Sequence, residues 1–200
     1  MTMKFFQIEV TGMSPYLMHR FTEAAEQPGG TRRIEIQKEL PRDAAERVAY
    51  RTDKKELYMP GPAFMRLLRE VGGGHKQRGS RKSLKYVIPA ACLVCDEIAL
   101  LRDPETWKPL KDFEVDSRPV TIPATKGKVM RHRPRLERWG VRFTLRVNDA
   151  ILSDDVVHTL LNEGGQTTGV GDFRPEKGGP FGTFRVTKWE PTEQLATAAE

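Results

Sequence analysis

The segment of residues 139–148, WGVRFTLRVN, is the sequence feature that most constrains the fold. Apolar and polar side chains alternate along it, and the apolar set is Val141, Phe143, Leu145 and Val147. A period of two is typical of a strand that buries one face and exposes the other. The chain is therefore expected to contain a β-sheet with one buried face.

Three further segments have the character of strands. Residues 4–11 alternate through Phe6, Ile8 and Val10, and Gly12 ends them. Residues 92–101 contain apolar runs, and residues 181–189 form a last strand after a glycine-rich stretch. Together with residues 139–148 they supply four strands, which are distributed from one end of the chain to the other.

Two helices are predicted between these strands. Residues 62–71 carry apolar side chains at i, i+3, i+4 and i+7, which makes one apolar stripe, and these are Phe64, Leu67, Leu68 and Val71. Residues 153–163 begin at Ser153, a good N-cap, and are expected to stop at Gly164-Gly165. The order βαββαβ predicts an α+β fold with a ferredoxin-like, or RRM-like, core.

The chain has 200 residues, which suits one domain with large insertions. We expect a single domain over residues 1–190 and a flexible tail over 191–200. Long insertions fall at about residues 12–60 and 102–138. Within them, residues 32–40 have the alternation of a strand, residues 41–50 can form a short helix, and residues 115–123 can form one arm of a hairpin.

Positive charge is concentrated in two segments. The net charge is +6, but residues 72–86 contain five Lys or Arg and no acid, and residues 126–138 contain six against Glu137. Clustered cations are the electrostatic footprint of a polyanion-binding protein, although solvated loops are the alternative reading. The predicted phosphate contacts are Lys76, Arg78, Arg81 and Lys82 in the first basic segment, and Lys126, Lys128, Arg131, Arg133 and Arg135 in the second.

Cysteine content and hydropathy exclude several classes of protein. Cys92 and Cys95 are the only cysteines, so a disulfide framework and a four-thiolate zinc site are both excluded, and we interpret the two as core thiols. No stretch approaches the roughly 18 apolar residues of a membrane span. A reducing, cytoplasmic setting without a cofactor, a metal or a membrane partner is expected.

Residues 169–182 form a glycine-rich loop, with five glycines in 14 residues. Glycines let a backbone approach a ligand closely, and backbone N–H groups can cradle phosphate. The loop follows a helix and precedes a strand, which is the reverse of the Rossmann order. Phe173 is a candidate for base stacking, and Arg174 and Lys177 add charge. Tyr86, Trp139 and Met130 are weaker aromatic or apolar candidates near the basic segments.

Three segments resemble the RAMP superfamily of CRISPR-associated proteins. The final helix, the GxG-containing loop and the GxF strand look like its C-terminal signature. Residues 57–72, LYMPGPAFMRLLREVG, resemble its entry into the first core helix, and residues 12–19 resemble the start of its backbone subunits. The resemblance implies an RNA-binding ferredoxin-like core, often in a filament along a guide, and a thumb-like insertion between the second and third core strands.

The sequence therefore favours a non-catalytic protein that binds RNA or another single-stranded nucleic acid. We expect it to coat a strand as an oligomeric backbone subunit, through self-association into a filament or ring or with other effector subunits. One alternative is a metal-independent RAMP endoribonuclease that uses His19 for proton transfer. No Asp occurs between Gly12 and Arg42, so an aspartate-based nuclease finds no matching residue there. A phage structural or assembly protein is the other alternative.

Overall fold

The computed structural model describes residues 3–21, 39–121 and 126–193. Nine strands and four α-helices lie within these ranges. In chain order they are β1 (Met3–Gly12), β2 (Tyr16–Leu17), α1 (Pro41–Arg47), β3 (Tyr58–Pro60), α2 (Pro62–Gly72), α3 (Ile88–Ala91), β4 (Cys92–Val94), β5 (Ile98–Arg102), β6 (Glu114–Thr121), β7 (Lys128–Leu136), β8 (Gly140–Asn148), α4 (Asp154–Thr167) and β9 (Phe184–Pro191).

The main sheet is antiparallel and has β8 near its centre. Its strand order is β3-β5-β8-β1-β9, and β4 also pairs with β8. The strand predicted most firmly from sequence is paired with β1 along its whole length, from Met3 opposite Asn148 to Thr11 opposite Gly140. The predicted α+β class is confirmed, because helices α2 and α4 cover one face of an antiparallel sheet.

The predicted strand over residues 92–101 is broken into β4 and β5, so the prediction of one continuous strand was wrong. The two pieces pair with opposite ends of β8, Cys92 opposite Val147 and Leu101 opposite Val141. Between them the carboxylate of Asp96 accepts the backbone N–H of Thr144. A side chain thus satisfies a donor in the middle of β8 that a continuous strand would have paired.

Aromatic packing joins α2 to the buried face of the main sheet. Phe64 of α2 stacks on Phe143 of β8, with ring centroids 4.1 Å apart, and meets the ring of Phe184 edge-on at 5.8 Å. All three are buried. The apolar stripe predicted for the helix over 62–71 is therefore the stripe that faces the sheet.

Helix α4 continues through Gly164-Gly165 to Thr167, although the sequence predicted that these glycines end it. A Cβ at Gly164 would lie 2.4 Å from Cδ2 of Leu67 on α2. A Cβ at Gly165 would lie 2.5 Å from the backbone oxygen of Phe184. The two glycines therefore allow close packing of α4 against α2 and β9, and close packing, rather than helix termination, explains their positions.

The insertion between the second and third core strands contributes β6 and β7 to a second sheet of order β2-β7-β6. Strands β6 and β7 form a long hairpin, here called the hairpin, from Glu114 opposite Arg135 to Thr121 opposite Lys128. Tyr16 and Leu17 of β2 pair with its base, opposite Leu136 and Arg135. The predicted hairpin arm and its basic return strand are thus present.

Smaller predictions have mixed outcomes. The short helix predicted over 41–50 ends at Arg47, and the last strand begins at Phe184 rather than at residue 181. Most of the predicted strand over 32–40 and of the tail over 191–200 lies outside the described residues. No helix in the described ranges is both long and apolar enough to cross a membrane.

The two cysteines have different environments. Cys92 is buried, as expected for a core thiol, and burial raises its pKa to about 12. Cys95 lies at the break between β4 and β5 and is only partly buried. Burial and the nearby Asp96 charge raise its pKa as well, so neither thiol is an activated nucleophile.

Candidate nucleic-acid interface

A cleft of about 530 Å³ lies between the first turns of α2, the chain just after β2 and the glycine-rich loop. His19 and Tyr16 line it on one side, and Ala63 and Arg66 of α2 line it on another. Residues 168–172 of the glycine-rich loop and its approach close it. The cleft therefore brings together the three segments that carry the RAMP resemblance.

Close backbone contact explains why this loop needs glycine. Gly171 has a φ of +82°, and a Cβ there would lie 2.4 Å from the Tyr16 ring and 2.5 Å from the oxygen of Leu17. The next residue, Asp172, donates its backbone N–H to that same oxygen over 2.9 Å. The loop is thus pressed against β2, and Gly171 is the residue that permits the approach.

A buried ion-pair network connects the hairpin to the glycine-rich loop. Arg133 of β7 donates to Asp172 of the loop over 2.8 Å and to Asp116 of β6 over 3.2 Å. Its side chain is only 4% exposed. Burial opposes ionisation of Asp172, but the hydrogen bond and charge of Arg133 outweigh it and hold the pKa of that carboxyl below its ordinary value.

Arg118 extends this network toward the exposed part of the hairpin. It donates to Asp116 over 2.7 Å, and its guanidinium carbon lies 4.7 Å from the ring centroid of Phe181. Arg118 is also the cross-strand neighbour of Arg131. The base of the hairpin is therefore fixed on the loop by charges and by a cation–π contact.

The predicted cations of the second basic segment fall into two groups. Lys126, Lys128 and Arg131 are exposed and make no ion pair with any described residue. Arg133 is buried in the network, so it presents no free face to a phosphate at the surface. Arg135 is partly buried and pairs with Glu114 over 3.5 Å and with Glu137.

The charged residues of the glycine-rich loop are similarly compensated. Arg174 pairs with Glu176 and donates to the oxygen of Gly171 over 2.8 Å, so it braces the loop. Lys177 is exposed but lies 3.2 Å from a carboxylate oxygen of Glu176. The structure thus gives Arg174 an internal partner where the sequence predicted a free positive charge.

The first basic segment lies at the other end of α2. The backbone of Gln77 donates to Lys82 and Lys76 pairs with Ser83, which forms a tight turn. The Ser83 hydroxyl fixes that turn to the oxygen of Gly72 over 3.0 Å. The four predicted contacts are all exposed on it and have no ion pair in the described ranges, namely Lys76, Arg78, Arg81 and Lys82.

The structure does not bring the two basic segments together at one site. The cleft is lined by the first turns of α2, and the first basic segment follows its last turn. The hairpin that carries the second basic segment packs instead against β2 and α1. Two separate cationic surfaces result.

The aromatic candidates have distinct positions. Phe173 lies on the glycine-rich loop, is partly exposed, and has its ring 6.1 Å from that of Phe181. Tyr86 and Met130 are exposed beside the first and second basic segments. Trp139 is fully buried and donates its indole N–H to the oxygen of Ser14 over 2.8 Å, so it belongs to the core.

His19 is half-buried at the rim of the cleft. Its Nδ1 atom is buried and has no hydrogen-bond partner among the described residues. Burial lowers the pKa of its imidazole, the charges of Arg131 and Arg133 lower it further, and Asp172 opposes them. The ring is therefore neutral at neutral pH.

The lowered pKa of His19 predicts a pH dependence of stability. In the unfolded chain His19 has an ordinary pKa of about 6.5 and takes up a proton as the pH falls, whereas the folded chain resists protonation. The free energy of unfolding is expected to fall as the pH drops below about 6.5, and less so in His19→Leu. Urea denaturation of both proteins between neutral and mildly acidic pH measures this, and parallel pH profiles would contradict it.

Several residues of this interface were not predicted from sequence. Asp116, Arg118 and Asp172 form the network, and Tyr50 lines the cleft. Asp116 and Arg118 stand on the strand that alternates only weakly, and their role depends on the register of the hairpin. Asp172 had a usable signal, because it is an acid inside a glycine-rich loop that otherwise carries cations.

An antiparallel α+β fold with a glycine-rich loop and a cationic hairpin can be compared with the folds of known proteins. No protein-family model matches the sequence, and no curated protein matches it either. Solved structures do match. One is a chain in the cryo-EM structure of the type III-B Cmr-beta bound to cognate target RNA, with a TM-score of 0.52 and 12% identity over 94% of this chain. This chain spans 60% of the length of that one.

A second similar structure is the crystal structure of Cmr6 from Pyrococcus furiosus. The TM-score is 0.50 and the identity 9%, over 92% of this chain and 99% of that one. The chain therefore shares the fold of these Cmr proteins, and this agrees with the fold that its sequence resemblance to the RAMP superfamily implied.

Proposed function

We propose that this chain is a non-catalytic RNA-binding subunit of a CRISPR-like ribonucleoprotein. The observation that carries the proposal is a set of exposed cations on the hairpin that form no ion pair with any residue the structure describes, Lys126, Lys128 and Arg131. The hairpin is fixed to the glycine-rich loop, so these cations have a defined position on the fold. The fold shared with a chain of an RNA-bound Cmr complex supports RNA as the polyanion.

Unpaired cations are the ones that favour phosphate binding. A lysine or arginine already paired with a carboxylate gains little from a phosphate, because it must give up its partner. A free cation releases the counterions condensed on the strand when it binds. Lys126, Lys128 and Arg131 thus carry the affinity, and the exposed cations of the first basic segment form a second contact.

Assembly is part of the same proposal. The chain binds its strand together with further copies of itself, in a filament or ring, or with other effector subunits. The hairpin is the insertion that the RAMP resemblance likens to a thumb. In that role the hairpin contacts the part of the strand that a neighbouring subunit holds. The glycine-rich loop and α2 contact the part of the strand that their own subunit holds.

The salt dependence of RNA binding tests the role of the hairpin. Replacing Lys126, Lys128 and Arg131 together by alanine removes up to three phosphate contacts. The slope of log affinity against log salt is expected to become about two units shallower for single-stranded RNA. Fluorescence anisotropy of a labelled single-stranded RNA over a salt series measures it.

A matched triple variant controls for total charge. Lys54, Lys108 and Arg185 are exposed, lie outside both basic segments and make no ion pair in the described ranges. Their replacement by alanine changes the net charge equally and is expected to leave most of the slope intact. Equal slopes for wild type and the hairpin variant would reject the hairpin as the RNA contact.

A second candidate function is metal-independent RNA cleavage. The neutral, half-buried imidazole of His19 at the rim of the cleft favours it, because a neutral base is what deprotonation of a 2′-OH requires. Incubation of labelled RNA with the protein in the presence of a chelator distinguishes RNA cleavage from RNA binding alone. Cleavage that is lost in His19→Leu supports the nuclease, and intact RNA with wild type rejects it.

A further inference from the structure

We propose that the cleft receives one unpaired nucleotide of the bound strand, with its base inserted between α2 and the glycine-rich loop. This inference rests on the proposed RNA binding and names the part of the RNA that the cleft recognises. A volume of about 530 Å³ lies in the lower half of the range of roughly 300–1,000 Å³ that small-molecule sites occupy. It is large enough for a base with its ribose.

The lining of the cleft suits a flat, mostly apolar group. Tyr50 contributes a partly exposed ring, and accessible aliphatic surface comes from Pro60, Pro62 and Ala63. Sites for small ligands have this character, with a few polar atoms that fix the orientation. A nucleobase presents a flat face to the apolar lining and a polar edge to those atoms.

The charges around the cleft argue against a phosphate as its occupant. Two cations and two anions line it, and each is in an ion pair with another described residue: Arg66, Arg174, Asp172 and Glu176. A compensated site gives a dianion little net attraction. The group that enters the cleft is therefore the uncharged base, and its phosphate stays outside.

His19 supplies a polar group at the rim of the cleft. Its imidazole lines the cleft and is only half-buried, so the polar edge of an inserted base can contact the exposed side of the ring.

Two sources offer this chemistry, an RNA strand and a free nucleotide, and the experiment separates them. Abasic substitutions are moved one position at a time along a single-stranded RNA, and affinity is measured at low salt. One position is expected to bind about 5- to 150-fold more weakly than its neighbours, the range that corresponds to base stacking on aromatic side chains. Titration with each nucleoside monophosphate alone tests the free ligand.

Two variants locate the effect. Ala63→Leu fills the cleft from α2, and His19→Leu removes the imidazole while keeping an apolar side chain at the rim. Both variants are expected to abolish the difference in affinity between abasic positions and to leave the slope of log affinity against log salt unchanged. Arg69→Ala, an exposed change on the last turn of α2, is the matched control and keeps the difference. Thermal melts establish that each variant is folded.

The outcomes separate this inference from the proposed function. A flat abasic scan, with normal RNA binding that depends on the hairpin cations, overturns base insertion and leaves the RNA-binding proposal standing. If the wild-type protein does not bind RNA at all, both proposals are overturned. A third outcome combines a flat abasic scan with tight binding of a free nucleotide that Ala63→Leu blocks. This outcome reassigns the cleft to a small-molecule ligand and also overturns base insertion from the strand.

Discussion

Replacing Arg133 by alanine is expected to lower the free energy of unfolding by about 3–5 kcal/mol, because it removes a buried cation that pairs with both Asp116 and Asp172. Asp116 keeps Arg118, but Asp172 loses its donor from the hairpin. The same change is expected to detach the base of the hairpin from the glycine-rich loop. Urea denaturation followed by circular dichroism measures the loss.

Arg135→Ala is the matched control for this prediction. Arg135 stands two residues further along the same strand, and its partners Glu114 and Glu137 are well exposed. Surface ion pairs contribute about 0–1 kcal/mol, so the expected loss is no more than about 1 kcal/mol. If the two variants lose the same stability, Arg133 is not a buried pairing residue and is as available to phosphate as its neighbours.

Phe64→Ala is expected to lower the free energy of unfolding by about 3–5 kcal/mol, the usual cost of truncating a buried phenylalanine. The side chain is fully buried, and its ring contacts those of Phe143 and Phe184. Its loss opens a cavity between α2 and the main sheet. The same denaturation experiment measures it.

Phe173→Ala supplies a comparison with the opposite pattern. Phe173 is partly exposed on the glycine-rich loop, and its ring centroid lies 6.1 Å from that of Phe181. We expect a small change in stability and a measurable loss of RNA affinity if it stacks on a base. A large loss of stability for Phe173→Ala, or a small one for Phe64→Ala, would contradict this assignment of core and surface.

Periodicity in the sequence predicted the elements that hold the core. The apolar stripe from Phe64 to Val71 and the alternation over residues 139–148 each specify which face is buried, and both faces meet in the structure. Local patterns suffice for this because burial acts on each side chain separately. The order of strands and helices that the sequence predicts follows from these local patterns.

What depends on long-range partners was not predictable in the same way. Arg131, Arg133 and Arg135 are equivalent in a count of charges and share one face of β7. They differ because Asp116 lies directly across the hairpin from Arg133, and Asp172 reaches it from a distant loop. Likewise, Gly164 resembles a helix-ending glycine in the sequence, but in the structure it allows the close approach of α2. Charge totals and glycine positions acquire their meaning from the tertiary structure.

The presence of two separate cationic surfaces has a consequence for avidity. One surface is the hairpin, which packs on β2 and α1, and the other follows the last turn of α2. An RNA too short to reach from one surface to the other occupies one at a time, whereas a longer RNA holds both, so that the second contact forms at a high effective concentration.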